Sequence, residues 1–500
     1  MSEPGGRICV VVRESNPEQF EHAIVQSRQI AGILELRLDY LSPTDLTPSA
    51  VANRVCMANC PVILTLRRKS NGGEFAGSEA AQVRLLRSLL KVGAAYIDLE
   101  IETVEGFLGG HLDSLRSGSA RWIASYHNFE HTPADLSAIY ERLLRTKPDI
   151  VKLATQACRF EDNFRMLELA QRAQREGQPI VALAMGELGA FSRFAALSTG
   201  SLWTYGSLGQ GKESAPGQLN AEELNNVYSV GQLREDTAIY GVIGYPVGHS
   251  LSPHIHNAAF HQLSLNACYL PFAVRDLADF STHLRKFAGF SVTIPHKVKI
   301  LDYVDNVDET VRLTGAANTL VNRQGRLFAY NTDVPAIEQA LQKPLREGIH
   351  RATLLGTGGA ARAAALVLKG TGCQVTVLAR DPRKAGAFAG EFGFQYDALE
   401  RGANCHGDLL INATSVGMCP NVAQSPLPPE ALDYRYVFDM VYNPPETRLL
   451  REAQPRSFTI SGVEMFIAQA ARQFELWTGD AAPVPLMREI VLQRLAMKQN

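Results

Sequence analysis

Short apolar runs alternate with amphipathic stretches through the first half of the chain. The runs are Ile8–Val12, Ile33–Leu38, Val62–Leu66, Ala94–Ile101, Trp122–His127, Ile150–Ala154, Ile180–Met185 and Leu202–Tyr205. Between them lie helix-like segments such as Glu79–Val92 and Asp162–Glu176. Eight β/α repeats of this kind predict a (β/α)8 TIM barrel over residues 1–233 rather than an open sheet. Polar residues then fall at or just after the strand ends: Glu35 and Arg37, Arg67, Glu100, His127, Lys152, Glu187, and Lys212 with Ser214. Barrel active sites form at the C-terminal strand ends, which makes these residues candidates. Loop solubility alone is the competing explanation.

The pattern changes after residue 233. Asn220–Thr237 is polar and helix-permissive, suited to a last barrel helix and a linker, and Ala238–Ile243 starts a new strand. A second α/β unit follows. Within it, Gly356-Thr357-Gly358-Gly359-Ala360-Ala361 comes after the strand Ala352–Leu355 and before the alanine-rich stretch Ala360–Leu368. This spacing permits a tight turn and close approach of a pyrophosphate to a helix N-terminus. The next strand, Gln374–Leu378, leads into Arg380, Arg383 and Lys384, which suit the 2′-phosphate of NADP. Asp381 keeps NAD in play, and a solvated basic loop is the plain alternative. Gly206 to Lys212 has phosphate-loop spacing, but Glu213 stands where a metal-binding hydroxyl is needed, so no ATP site is expected.

Composition narrows the classes. The 500 residues carry 49 Lys plus Arg against 51 Asp plus Glu, a formal net charge of −2, which gives no electrostatic case for a nucleic-acid or membrane partner. No apolar run reaches the ~18–20 residues of a membrane span. The eight cysteines show no metal-ligand spacing, so buried thiols, no metal and no disulfide framework are expected. The N-terminus shows neither signal nor transit character, which predicts a cytoplasmic enzyme.

Six ordered motifs carry a specific resemblance in the second half. Gly248-His-Ser250-Leu-Ser252-Pro, Ser291-Val-Thr293-Ile-Pro-His-Lys297, Gly315-Ala-Ala-Asn318-Thr, Asn331-Thr-Asp333, Ile411-Asn412-Ala-Thr-Ser415 and Gly462-Val-Glu-Met-Phe-Ile-Ala-Gln469 resemble shikimate dehydrogenase across about residues 238–497. The resemblance implies a two-lobed α/β fold: a substrate-binding domain over 238–335 and a Rossmann NADP-binding domain over 336–500, whose last helices pack back on the first. It implies Lys297 and Asp333 as the catalytic pair and Ser250 and Ser252 as holders of the substrate carboxylate. Thr293, Asn318, Tyr442 and Gln469 would bind ring hydroxyls and position the ring. Gly356, Thr357, Gly358, Gly359, Ala360, Arg380, Met440 and Gly462 would contact NADP(H). Val334 stands where the family usually has Gly, so either the loop differs or φ is negative there.

The first half resembles a second family. Glu35-Leu-Arg37-Leu-Asp39, Thr65-Leu-Arg67, Ser125-Tyr-His127-Asn-Phe, Ile150-Val-Lys152, Ser192-Arg193 and Ser214-Ala-Pro-Gly-Gln218 are similar to type I 3-dehydroquinate dehydratase over about residues 7–233. Singly, His127 and Lys152 read as ordinary strand residues. By the resemblance, Lys152 forms a Schiff base with its pKa lowered by the barrel interior and neighbouring cations, and His127 is the acid/base. Arg193 would bind the substrate carboxylate, while Glu35, Arg37, Arg67, Ser214 and Gln218 would fix hydroxyls. The family's glutamate that partners the histidine is replaced by Asn71, so Asn71, Glu74 or Glu100 is expected to stand in.

The two activities are consecutive, and their order resembles the fused dehydratase–dehydrogenase family of plants and some bacteria. The expected substrates are 3-dehydroquinate and 3-dehydroshikimate, and the expected state is a monomer or homodimer. The alternatives are a catabolic quinate or shikimate dehydrogenase fusion using NAD, and a non-catalytic sensing homologue. An aldolase-type lyase is disfavoured by the Ser-Ala-Pro-Gly-Gln motif.

Overall fold

The computed structural model describes residues 6–108, 118–209, 211–213, 215, 217–248, 250–404 and 406–497. They fall into two compact units, Met1–Thr237 and Ala238–Asn500. Among the described residues no helix is long and apolar enough to cross a membrane.

In the first unit the strands are β1 Ile8–Val12, β2 Ile33–Arg37, β3 Val62–Thr65, β4 Tyr96–Glu100, β5 Arg121–Asn128, β6 Ile150–Gln156, β7 Ile180–Met185, β8 Thr204–Ser207 and the short β9 Leu219–Asn220. They pair in parallel in the order β7-β6-β5-β4-β3-β2-β1-β8-β9. Ile180 of β7 bridges Ser201, and the Leu202 N–H donates to the Ile180 carbonyl at 2.9 Å, which closes the ring just ahead of β8. Helices such as Glu161–Arg175 bury one apolar face against the strands, with Met166, Leu169, Ala170 and Ala173 inward.

The strand period of two explains how apolar strands yield a polar site. A buried cluster of Ile33, Ile63, Tyr96, Ile123, Ile150 and Trp203, with Cys9 and Val181, fills the barrel interior. Side chains two and four positions later along the same strands share its face. They are Glu35 and Arg37, Thr65 and Arg67, Asp98 and Glu100, Ser125 and His127, and Lys152. The plug is apolar and the layer above it is charged.

The second unit holds two six-stranded sheets. The first comprises β10 Ala238–Gly244, β11 Ala267–Ala273, β12 Gly289–Val292, β13 Asn306–Val307, β14 Thr319–Arg323 and β15 Arg326–Tyr330, ordered β11-β10-β12-β14-β15-β13. The second comprises β16 Arg351–Leu355, β17 Gln374–Ala379, β18 Gln395–Ala398, β19 Gly407–Asn412, β20 Tyr434–Asp439 and β21 Phe458–Ser461, parallel and ordered β18-β17-β16-β19-β20-β21. Its crossover reversal lies between β16 and β19, next to the glycine turn after β16, where open α/β sheets take their ligands. The terminal helices Gly462–Thr478 and Val484–Met497 bury Phe466, Phe474, Met487 and Val491 with Tyr240, Ile255, Phe260 and Tyr269 of the first sheet's layer.

Val334 sits in the first turn of the helix Asp333–Ala340, buried, and is not among the positive-φ residues. A β-branched side chain is unstrained there. The cysteine expectation needs correction. Cys9 and Cys268 are buried, but Cys56 and Cys158 are exposed and Cys60, Cys373 and Cys419 are half-buried; all seven described thiols are free, and Cys405 lies outside the described residues.

Candidate functional site

Lys152 reaches from β6 into the charged layer of the barrel. Its Nζ lies 3.0 Å from Glu35 Oε2 and 2.9 Å from Asp98 Oδ2, and 4.7 Å from the Tyr205 ring centroid. Asp98 Oδ1 accepts from Arg67 Nη2 at 2.8 Å and from Ser125 Oγ at 2.6 Å. Glu35 Oε2 also accepts the Tyr205 hydroxyl at 2.7 Å. Burial works to lower the Lys152 pKa, but Asp98 and Glu35 outweigh it and the net shift is upward. This overturns the sequence-based expectation of a lowered value. The carboxylates hold the ammonium more closely than the cations repel it, and Asp98 is the residue the sequence reading missed.

His127 is pushed well below its ordinary value, first by burial and then by Arg67 and Lys152. It is a neutral imidazole, with Phe129 stacked at 6.0 Å and Nδ1 without a hydrogen-bond partner. None of the three expected stand-ins bonds it. Asn71 donates to Glu102 Oε2 at 3.0 Å, Glu74 is exposed, and Glu100 accepts from the Arg68 N–H at 2.9 Å and from Gln82 at 2.6 Å. Arg37 is held bidentately by Asp39 at 2.9 and 2.7 Å.

Arg193 differs from the other cations. It is 2% exposed, its Nε has no partner, and among the described residues no carboxylate pairs with it. Burial lowers its pKa to about 10. Glu35, Arg37, Arg67, His127, Lys152, Arg193 and Gln218 all line one cavity. Ser214 lies outside the described residues, next to the lining residue Ala215.

In the second unit Lys297, after β12, donates to Asp333 Oδ2. Asn318 Nδ2 donates to Asp333 Oδ1 at 2.8 Å and reaches Gln469 Oε1 at 3.5 Å. Tyr442 stacks on Phe466 at 4.0 Å and hydrogen-bonds Ser250, and burial pushes its hydroxyl up to about 12. Ser250 Oγ accepts the Ser252 N–H at 3.2 Å, and Ser252 hydrogen-bonds the buried Tyr269. Thr293 closes the turn at the end of β12, accepting the His296 N–H at 2.9 Å. Lys297, Asp333, Asn318 and Gln469 therefore form one bonded group, and Ser250, Ser252 and Tyr442 another.

The glycine turn after β16 lies beside them. Gly356 has φ +103°, and Gly358 caps the helix Gly359–Thr371, with open space where a Cβ would stand. The first N–H groups of such a helix have no intrahelical acceptor and are open to an anion. Gly359 is required by contact: a Cβ there would sit 2.6 Å from Lys297 Cβ. Gly462 likewise packs on Met440, with a Cβ falling 2.5 Å from its carbonyl oxygen. Arg380, Arg383 and Lys384 are exposed after β17, while Asp381 Oδ1 is engaged with the Arg383 N–H at 3.0 Å as a helix cap. Among the described residues no cluster could hold a metal ion.

Family models agree with both halves. Type I 3-dehydroquinase matches residues 8–235, the shikimate dehydrogenase substrate-binding domain 242–320, and the shikimate 5'-dehydrogenase C-terminal domain 462–492. The shikimate dehydrogenase (NADP(+)) of Bacillus licheniformis is 43% identical over 275 residues, 52% of this chain and 98% of that protein. That of Methanopyrus kandleri is 40% identical over 286 residues, 52% of this chain and 97% of that protein. The chloroplastic bifunctional 3-dehydroquinate dehydratase/shikimate dehydrogenase of Arabidopsis thaliana is 37% identical over 489 residues, covering 92% of this chain and 80% of that protein. A match that spans both units in one relative, 37% identical over 92% of this chain, places the chain in the bifunctional 3-dehydroquinate dehydratase/shikimate dehydrogenase family.

Proposed function

We propose that the chain dehydrates 3-dehydroquinate to 3-dehydroshikimate in the barrel and reduces that ketone to shikimate in the second unit, using NADPH. The observation that carries the first step is the buried Lys152 sharing one cavity with a neutral His127 and an unpaired Arg193. Residues 1–233 are assigned to the dehydratase, 238–335 to the reductase substrate lobe and 336–500 to its cofactor domain.

Arg193 takes the substrate carboxylate, which supplies the anion its buried guanidinium lacks. As one ammonium proton passes to the carbonyl oxygen, the freed Lys152 nitrogen adds its lone pair to the ketone carbon. The carbonyl oxygen leaves as water carrying two of the ammonium's protons, and a protonated imine remains. That cation draws electrons from the adjacent C–H, and His127, neutral at physiological pH, takes the proton. The same proton then goes to the departing hydroxyl, so water leaves and His127 returns to its starting state. Water hydrolyses the imine and restores Lys152. Glu35, Arg37, Arg67, Ser214 and Gln218 fix the ring hydroxyls.

In the second unit Ser250 and Ser252 hold the carboxylate, and Thr293, Asn318, Tyr442 and Gln469 hold the ring. Lys297 donates a proton to the carbonyl oxygen as it becomes an alkoxide, and Asp333 orients the ammonium and keeps it charged. The turn Gly356–Ala360 fits a pyrophosphate, with Gly462 and Met440 flanking it, and the exposed cations Arg380, Arg383 and Lys384 fit a 2′-phosphate. NADPH bound there supplies the hydride. Asp381 is engaged in capping its own helix, which favours NADP over NAD.

The test is a coupled assay starting from 3-dehydroquinate plus NADPH, with products identified. Shikimate as the end product is expected. Failure to convert 3-dehydroquinate, or to consume NADPH once 3-dehydroshikimate is supplied, would remove the corresponding half of the assignment.

A further inference from the structure

Lys152 must become a free amine to attack, yet it is held as a cation. The groups that face it set how firmly. Glu35 and Arg37 come from β2, Asp98 from β4 and His127 from β5. Arg67 follows β3, and β1 supplies the Cys9 thiol, which burial keeps protonated. β7 offers Val181 and Leu183. Arg193 and Gln218 line the same cavity, and Tyr205 of β8 also faces Lys152, 6% exposed and outside the groups assigned to binding or catalysis. Its ring belongs to the apolar plug, but its hydroxyl does not follow from packing.

That hydroxyl donates to Glu35 Oε2 at 2.7 Å, the oxygen that also holds Lys152 at 3.0 Å. Two donors on one carboxylate oxygen divide its negative charge. Asp98 has a parallel arrangement, since Arg67 and Ser125 occupy its Oδ1 and leave Oδ2 to Lys152. We propose that Tyr205 is a positioning residue of the dehydratase: by donating to the Glu35 oxygen that holds the Lys152 ammonium, it weakens that hold and eases release of the amine. This rests on the reading of Lys152 as the imine-forming residue.

Tyr205→Phe removes the hydroxyl and keeps the ring. The measurement is the single-turnover rate at which borohydride traps an adduct with saturating 3-dehydroquinate, followed from pH 6 to pH 9. A lost hydrogen bond to a charged group predicts trapping about tenfold slower, equivalent to a profile displaced upward by about one pH unit. In a Glu35→Gln background, where no carboxylate grips Lys152 from β2, Tyr205→Phe should have no effect. Replacing Tyr205 with 3-fluorotyrosine, a stronger donor of nearly the same shape, should quicken trapping and covers the case in which Tyr205→Phe disturbs folding. An equal slowing in both backgrounds, or no slowing in either, would overturn the proposal and leave Tyr205 as packing. Absence of any adduct in the unaltered protein would instead overturn the Lys152 reading, and this proposal with it.

Discussion

Asp98 Oδ2 lies 2.9 Å from Lys152 Nζ, and the two residues are 5% exposed or less. The carboxylate also ties Arg67 and Ser125, so it anchors three strands of the barrel through one side chain. Its pKa is held far below the ordinary range. Burial pushes it up, but Arg67 and Lys152 outweigh that.

Asp98→Asn leaves Arg67 and Lys152 as poorly compensated buried cations, and should cost about 3 kcal/mol of barrel stability in urea unfolding. The linkage has a definite sign. A depressed carboxylate stabilises fully above its unfolded value near ~4, and that contribution is lost as pH falls below it. The unaltered protein should therefore show a steeper loss of stability below about pH 4 than Asp98→Asn. Parallel curves for the two proteins would contradict this account.

Gly359→Ala places a methyl group 2.6 Å from Lys297 Cβ. The expected outcome is a reductase rate down at least about tenfold as Lys297 is displaced from its bond with Asp333, with dehydration unchanged. Lys297→Ala should remove reduction by about 10²-fold or more while also sparing dehydration. Both halves are assayed separately, with 3-dehydroquinate alone and with 3-dehydroshikimate plus NADPH. Loss of dehydration in either variant would contradict independent sites.

Arg380→Glu tests the cofactor choice. Reversing this exposed charge should raise the KM for NADPH by about tenfold, since one charge-assisted phosphate contact becomes repulsive. The KM for NADH should stay within about twofold. Equal effects on both cofactors would place Arg380 away from the 2′-phosphate.

His256 is completely buried, stacked on Tyr269 at 4.5 Å and edge-on to Trp477 at 5.1 Å, and neither ring nitrogen has a hydrogen-bond partner. Burial lowers its pKa to about 3. The unfolded chain takes up a proton near ~6.5 and the folded one does not, so stability declines as pH falls from there toward the folded value. Between pH 7 and 4.5 the loss from this residue should be about 2.5 kcal/mol. His256→Phe should flatten that slope in urea titrations at the two pH values; an unaltered slope would show that His256 is bonded in solution.

The strand rows explain what could be read from the residues alone. Glu35 and Arg37 in β2, and Lys152 in β6, are the only charges in their own strands, so they announce themselves. Asp98 sits in Tyr96-Ile-Asp-Leu-Glu100, where two acids share a face and Glu100 is nearer the strand end. Every residue of that strand is buried, so alternation between exposed and buried positions gave no way to choose between them. Missing Asp98 then led to the wrong direction for Lys152, because the remaining neighbours in view were cations. The partner of His127 was misplaced for a related reason: Asn71 bonds Glu102, which lies beyond β4 and is brought close only by the fold. The motifs of the second unit were legible because their spacings are local, whereas the Tyr205–Glu35 bond spans 170 positions and no local pattern reports it.

The lone Arg193 has a consequence beyond recognition. A buried guanidinium with no carboxylate partner among the described residues costs stability, so on the proposed reading a carboxylic acid that completes the pair should raise the melting temperature of the barrel as well as occupy its site.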